Sequence, residues 1–276
     1  MRIAVLVTSH NRVETTIRGL RSLFIALSVV PDVEARVFLV DDGSTDGTGE
    51  RVREAFGHVT VVRGSGQLYW TRGMSAAYLS ARASGLVFDA YLLFNDDVEV
   101  GAGLPEFFEE YGKDRSRVLV GACQSSSGDM ITYSGFIRVG RLRPLAFHVP
   151  ELTGSVTRVD TFNGNFVLFP AASFEALGGL DDGFVHGLGD LDLGLRATCS
   201  GVVVGVFRTP IGVCDKGPTM DERLLVMPRG ARLKQLVGPV HGPRPYLRFA
   251  RRHGIRLLFP LYLANSVFAR LRLALR

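Results

Sequence analysis

The chain has 276 residues, 46% hydrophobic and 21% charged, enough for one large α/β domain or two small ones and close to ordinary globular usage. A formal net charge of +5 and a pI of about 9.4 suit an anionic partner: nucleic acid, a phosphorylated small molecule or a membrane surface. Cys123, Cys199 and Cys214 are odd in number and lack C-x-x-C spacing, which argues against a disulfide framework or a zinc site and favours a reducing compartment.

In chain order, Ile3–Thr8 reads as a buried strand, too short and too soon polar for a signal peptide. Val13–Val30 carries apolar residues at helical spacing. Ala35–Val40 predicts a second strand and Thr45–Phe56 a helix after a turn. Val59–Arg63 is a third strand, Met74–Ala83 a helix and Ala90–Phe94 a fourth strand. This alternation predicts a mostly parallel sheet covered on both faces. Val118–Ala122 predicts another strand. Residues 123–160 hold short β-like pieces such as Ile131–Ile137, and Phe162–Phe169 is apolar around Asn163-Gly164-Asn165. A helix near Ser173–Leu177, a glycine turn at 178–183, a helix over Leu191–Cys199 and a strand over Val202–Phe207 follow. From Arg223 the chain is basic and mostly helical. Leu257–Ala264 is apolar, but it is short and Pro260 interrupts it, so no membrane span is expected.

Ligands of such sheets gather at the carboxyl ends of the strands. Three polar clusters fall there: Thr8-Ser9-His10-Asn11, Asp41-Asp42-Gly43-Ser44 and Asn95-Asp96-Asp97. Asp96 and Asp97 are adjacent like charges that end a buried strand, and desolvation compounds their repulsion. A shared cation relieves both; a simple polar turn is the alternative. No P-loop, no G-x-G-x-x-G after the first strand and no G-x-S-x-G elbow exists, nor any named nucleic-acid motif. What remains is carboxylates at strand ends and a later pair, Asp190 and Asp192. Such groups with open positions suit Mg²⁺ or Mn²⁺, ions that usually arrive with phosphates.

These segments carry a resemblance. "VLVTSHNR" (5–12), "FLVDDGSTDGT" (38–48), "LLFNDDVEV" (92–100) and "GGLDDGFVHGLGDLDLGLRA" (178–197) together resemble an inverting family-two glycosyltransferase of GT-A fold. "GSGQLYWTRGMSAAY" (64–78) resembles the bacterial rhamnosyltransferase-like branch. The resemblance implies a Rossmann-like mixed α/β sheet, mostly parallel, with helices on both faces and a basic helical C-terminal tail. It implies a nucleotide-sugar-binding half over 1–115, an acceptor-binding and catalytic half over 116–222, and a basic extension over 223–276.

By the same resemblance, Asp42 contacts the base of a nucleotide-sugar donor, Thr8, His10 and Arg12 wrap base and ribose, and Asp96 contacts the ribose. Asp97 holds Mg²⁺ or Mn²⁺ on the diphosphate, and Asp190 is the catalytic base. Two positions depart from the family: Asn95 stands first in the Asp-x-Asp motif, and Gly189 stands where a Glu usually precedes Asp190. The chemistry needs a cation on the leaving diphosphate and one carboxylate within roughly 3 Å of the attacking hydroxyl.

Other residues keep plainer readings. Asp192 fits a helix-start residue paired with Arg196, Trp70 a core residue and His186 a loop histidine, and Asp215 falls near a further metal-ligand position. The expected acceptor is a carbohydrate or lipid-linked molecule in cell-surface polysaccharide synthesis, and a deoxythymidine-diphosphate donor fits the rhamnosyltransferase-like stretch. A nucleotidyltransferase and a non-catalytic nucleotide-sugar binder are the competing functions. The arginine-rich, acid-free segment 244–276 reads as an interfacial helix at the inner face of a cell membrane or, alternatively, a helix packed on the domain or in a dimer, the enzyme otherwise being cytoplasmic.

Overall fold

The computed structural model describes residues 1–140 and 142–275. The first half alternates strand and helix: β1 (Arg2–Ser9), α1 (Val13–Leu27), β2 (Glu34–Asp41), α2 (Thr48–Ala55), β3 (Thr60–Arg63), α3 (Tyr69–Ala83), β4 (Ala90–Phe94), β5 (Glu99–Val100) and α4 (Leu104–Lys113). The second half is strand-rich: β6 (Val118–Gln124), β7 (Ile131–Tyr133), β8 (Gly135–Arg138), β9 (Phe147–His148), β10 (Val156–Val159), β11 (Thr161–Phe162) and β12 (Phe166–Pro170). It closes with α5 (Ala171–Ala176), α6 (Gly189–Cys199), β13 (Val204–Val213), α7 (Met220–Leu225), α8 (Arg229–Val237), α9 (Pro243–His253) and α10 (Phe259–Leu275).

The main sheet runs β10-β13-β6-β12-β4-β1-β2-β3, with β5 beside β13 and β7 beside β6. β3, β2, β1 and β4 are mutually parallel, and β12 inserts antiparallel between β4 and β6. β8 pairs with β11 and β9 in a small second sheet. Because side chains alternate across a strand, the central strands feed two cores. Ile3, Val5, Val7, Leu92 and Phe94 meet α1 and α4 on one face. Ala4, Leu6, Tyr91 and Leu93 meet α3, α5 and α6 on the other. Continuous apolar runs at 3–7 and 90–94 are therefore what a sheet buried on both faces requires.

The register sets the polar strand ends side by side. Ser9 pairs with Asp41, and Leu6 with Leu93, so Asn95-Asp96-Asp97 leave β4 at the level where β1 ends. Four elements differ from the sequence-based expectation. α3 starts at Tyr69 rather than Met74, and its start is secured by Asp42, distant in sequence. α4 was not expected; its amphipathic run Leu104, Phe107, Phe108, Tyr111 seals the first core. β13 continues to Val213 across a register shift between Phe207 and Gly212. Pro260 does not interrupt α10, because it occupies the first turn, where no amide bond is lost. By length and composition the segment Arg256–Leu275 could cross a membrane, and 17% of its apolar window is buried.

Candidate active site

The end of β1 gives the first wall. α3 lies against it so closely that a Cβ on Gly73 would stand 2.2 Å from the Thr8 hydroxyl oxygen. Glycine here lets helix and strand touch. The next wall is the turn after β2. Asp42 is buried, and its carboxylate accepts the amides of Gly66 (2.8 Å), Leu68 (2.8 Å) and Tyr69 (2.9 Å). It thereby caps α3 and folds the 64–69 loop around itself. His10 Nδ1 lies 2.7 Å from the Asp42 carbonyl oxygen, which ties the β1 loop to the β2 turn.

The paired carboxylates are resolved by a cation from the chain itself. Arg12 donates to Asp96 (2.9 Å) and Asp97 (3.0 Å), one nitrogen to each. Asp96 is almost fully buried and also accepts the Thr16 hydroxyl at 2.9 Å. Burial pushes its carboxyl above the ordinary carboxylate value despite Arg12. Burial works against the Arg12 charge too, but Asp96 and Asp97 outweigh it and hold its pKa up. Asp97 is more open, with 30% of its side chain exposed, and its other oxygen takes the Cys214 thiol at 3.5 Å.

Thr8, His10, Arg12, Asp42 and Asp96, all expected to face a nucleotide, line one cavity of about 190 Å³ together with Tyr69, Trp70, Asn95 and His186. Asp97 and Asp190 lie outside its lining. Asp97 joins it through Arg12, and Asp190 through Gly164. Gly164 donates its amide to Asp190 at 3.1 Å, and a Cβ on Gly164 would lie 2.4 Å from the Trp70 ring and 3.3 Å from the Asp190 Cβ. Trp70 and Asp190 thus flank one glycine. Asp190 is half-buried in the first turn of α6, where its other oxygen accepts the Leu191 amide at 2.8 Å. Desolvation raises its pKa against these backbone hydrogen bonds.

The departures from the family motif have local causes. Asn95 accepts the Trp70 indole N–H at 2.6 Å, which aims the ring across the cavity. Trp70 packs one edge on the second core, as expected, and lines the cavity with the rest. A Cβ on Gly189 would lie 2.5 Å from the Thr71 Oγ1 and Cγ2 atoms, so Thr71 fills the volume a side chain there would need. Backbone strain gathers around the cavity as well. Asn11, Tyr69 and Leu188 are three of the four non-glycine residues with positive φ among the described residues. No local sequence pattern marks Tyr69 or Leu188 for that conformation.

Asp192 is the helix residue paired with Arg196 that its spacing suggested, at 2.8 Å. It is fully buried and also binds Arg252 at 2.7 Å and His253 at 2.8 Å, partners on α9 that the spacing did not reveal. Despite desolvation, these bonds pull its pKa down to about 2. Asp215 accepts the Ser126 amide at 2.8 Å.

Among the described residues no group of three or more His, Cys, Asp or Glu side chains could hold a metal. Mg²⁺ and Mn²⁺ sites often need only one or two carboxylates, the rest being water and substrate phosphate oxygens. Asp97, partly exposed beside the buried Asp96, fits that limited role. Asn95 is the weaker candidate, because its amide is neutral and its oxygen already accepts the Trp70 N–H.

Several known structures share this architecture. A mannosyltransferase from Pyrobaculum calidifontis, solved with GDP-Man and Mn²⁺, is 18% identical over 99% of this chain and 72% of its own, with a TM-score of 0.57. Residues 1–349 of S. aureus TarS with UDP-GlcNAc are 14% identical over 99% of this chain and 82% of theirs, at 0.56. GalNAc-T7 with UDP, GalNAc and Mn²⁺ is 14% identical over 98% of this chain but 57% of its own, at 0.57. Identities this low carry the fold alone. Among curated proteins, none matches the sequence. Residues 4–175, well over half the chain, match the family described as Glycosyl transferase family 2. The chain belongs to that family and is a glycosyltransferase built on a mixed α/β sheet of the GT-A kind.

Proposed function

We propose that the enzyme moves a sugar from a nucleoside-diphosphate sugar to a hydroxyl of a carbohydrate or lipid-linked acceptor, with inversion, in the synthesis of a cell-surface polysaccharide. The observation that carries this reading is Asp190. It is a half-buried carboxylate of raised pKa, held by backbone amides and separated by one glycine from the Trp70 wall of the cavity. Desolvation makes a carboxylate a stronger base.

The nucleotide would occupy the cavity lined by Thr8, His10, Arg12, Asp42 and Asp96. Asp42 holds the 64–69 loop as the base-facing wall, with an acceptor lone pair left on the oxygen bonded only to Gly66. Arg12 brings positive charge to the diphosphate side. Asp97 would hold the divalent ion, and a bound Mg²⁺ or Mn²⁺ would neutralise charge on the leaving diphosphate. At transfer, the acceptor O–H bond breaks and its proton passes to Asp190. The acceptor oxygen bonds the anomeric carbon from the face opposite the diphosphate. The old carbon–oxygen bond breaks, and its electron pair leaves with the diphosphate. One base and one displacement give inversion.

A deoxyhexose donor, in line with the rhamnosyltransferase-like stretch at 64–78, is the first to test. α10 supports a peripheral location on an anionic, cytoplasm-facing membrane surface. Leu261, Phe268, Leu271 and Leu275 are 55–77% exposed on one side of it. Arg251, Arg256 and Arg272 are exposed nearby without carboxylate partners among the described residues.

Asp190→Asn is the direct test. It keeps the shape but cannot accept the proton, so transfer should fall at least about a hundredfold while donor binding persists. Near-normal turnover would remove Asp190 from the mechanism. In the wild type, activity should fall as pH drops through the raised Asp190 pKa, so the acid limb should lie above the ordinary value of 3.8.

A further inference from the structure

A second, larger cavity of about 530 Å³ adjoins the first. His186 lines both cavities, and Leu188, in the wall of the larger one, caps the helix that carries Asp190. The basic side chains of the larger cavity are Arg223 and Arg270, which carry its positive charge, and His186 and His241, whose imidazoles burial and the nearby arginines hold below their ordinary pKa as neutral hydrogen-bonding groups; no acidic residue lines it. The Arg270 guanidinium is half-buried and donates only to oxygens of His241, Gly242 and Ser266, with no carboxylate partner among the described residues. The Arg223 Nε donates to the Pro218 carbonyl oxygen. Gathering positive charge in a partly dry pocket without a counter-ion is costly unless an anion arrives to share it.

The remaining walls are apolar, with Leu145, Leu188, Val240, Pro245 and Tyr246 among them. α10 forms one side. Asn265, Ser266, Ala269 and Arg270 face the cavity, while Leu261, Phe268, Leu271 and Leu275 project from the opposite side. The helix thus separates a cationic pocket from a surface that favours an apolar medium.

We propose that this cavity is the acceptor site and that it takes an anionic amphiphile, a phosphate-type head group on an apolar chain presented at a membrane surface. This rests on the assignment of the smaller cavity to the donor. The head group would lie among Arg223, His241 and Arg270, the chain would follow the apolar walls, and His186 would mark the passage toward Asp190.

The test titrates full-length protein by calorimetry with dodecyl phosphate, dodecanol and inorganic phosphate. Dodecyl phosphate should bind at least about tenfold more tightly than either of the others, because each lacks one half of the chemistry. Arg223→Gln combined with His241→Gln should weaken dodecyl phosphate at least about tenfold. Ala269→Trp, a substitution at an exposed lining position, should abolish binding by filling the space, and it decides the matter if the double variant does not fold. Equal binding of inorganic phosphate would assign the pocket to soluble phosphorylated acceptors and overturn the lipid part. Equal binding of dodecanol, or unchanged affinity in the folded variants, would overturn the site. A parallel titration with a nucleoside diphosphate and Mn²⁺ reports the donor half. Its failure would remove the donor reading without touching the amphiphile result.

Discussion

At the scale of single residues, the site depends on glycines that leave room for particular neighbours. Gly189→Ala should lower stability and activity together, because its methyl would meet Thr71 at 2.5 Å. Thr71→Ala in the same chain should restore part of both, and the coupling in thermal denaturation should be at least about 0.5 kcal/mol. Independent effects would mean that Thr71 does not define that volume. Asp97→Ala should abolish metal-enhanced nucleotide binding, measured by titration with and without Mn²⁺; an unchanged metal effect would move the ion elsewhere. The sequence made the carboxylates legible, because Asp42, Asp96 and Asp97 stand in recognisable strings at strand ends and Asp190 in one at a helix start. It did not make Arg12 legible as the cation between Asp96 and Asp97, because 84 residues separate Arg12 from Asp96 and no local pattern encodes that meeting.

At the scale of elements, α6 is secured by α9. Asp192 is buried with Arg196, Arg252 and His253 around it, and Asp181 in the preceding loop takes Arg248 and Arg252 at 2.8 Å each. The folded Asp192 pKa is about 2, below the ordinary 3.8, so the stability it contributes is present above 3.8 and lost as pH falls toward 2. That contribution is about 2 kcal/mol. Asp192→Asn should therefore lower Tm at neutral pH by roughly 3–8 °C and flatten the acid dependence of Tm below pH 4. An unaltered acid profile would show that the cluster does not carry this linkage. The 3.6-residue period gave Arg196 to Asp192, but His253 lies 61 residues away and was invisible to it. The same limit explains α3: its start is fixed by Asp42 rather than by a local cap, so periodicity could locate only its later turns.

At the scale of the whole molecule, the β-α alternation of the first hundred residues was readable because both faces of the sheet are buried and the strands are almost purely apolar. The second half was harder, since the strands within residues 131–162 are only two to four residues long, too short to show a period, and β10 pairs with the distant β13. The tail divides its residues between two tasks. Arg248 and Arg252, expected at a membrane, turn to Asp181 and Asp192, and α10 alone presents the outward apolar face. Phe268→Glu with Leu271→Glu should abolish sedimentation with anionic liposomes at low salt while leaving Tm within a few degrees. Co-sedimentation equal to wild type would exclude α10 as the contact. Truncation after Pro243 should instead destabilise the domain, because Asp192 loses Arg252 and His253. That clamp also has a consequence for biosynthesis. The helix bearing Asp190 is complete when residue 199 has left the ribosome, yet its buried charge has no full set of partners until residue 253 follows. At about 5–20 residues per second, several seconds separate the two events. A nascent chain in which the smaller cavity has assembled therefore still lacks a locked Asp190 helix until residue 253 has followed.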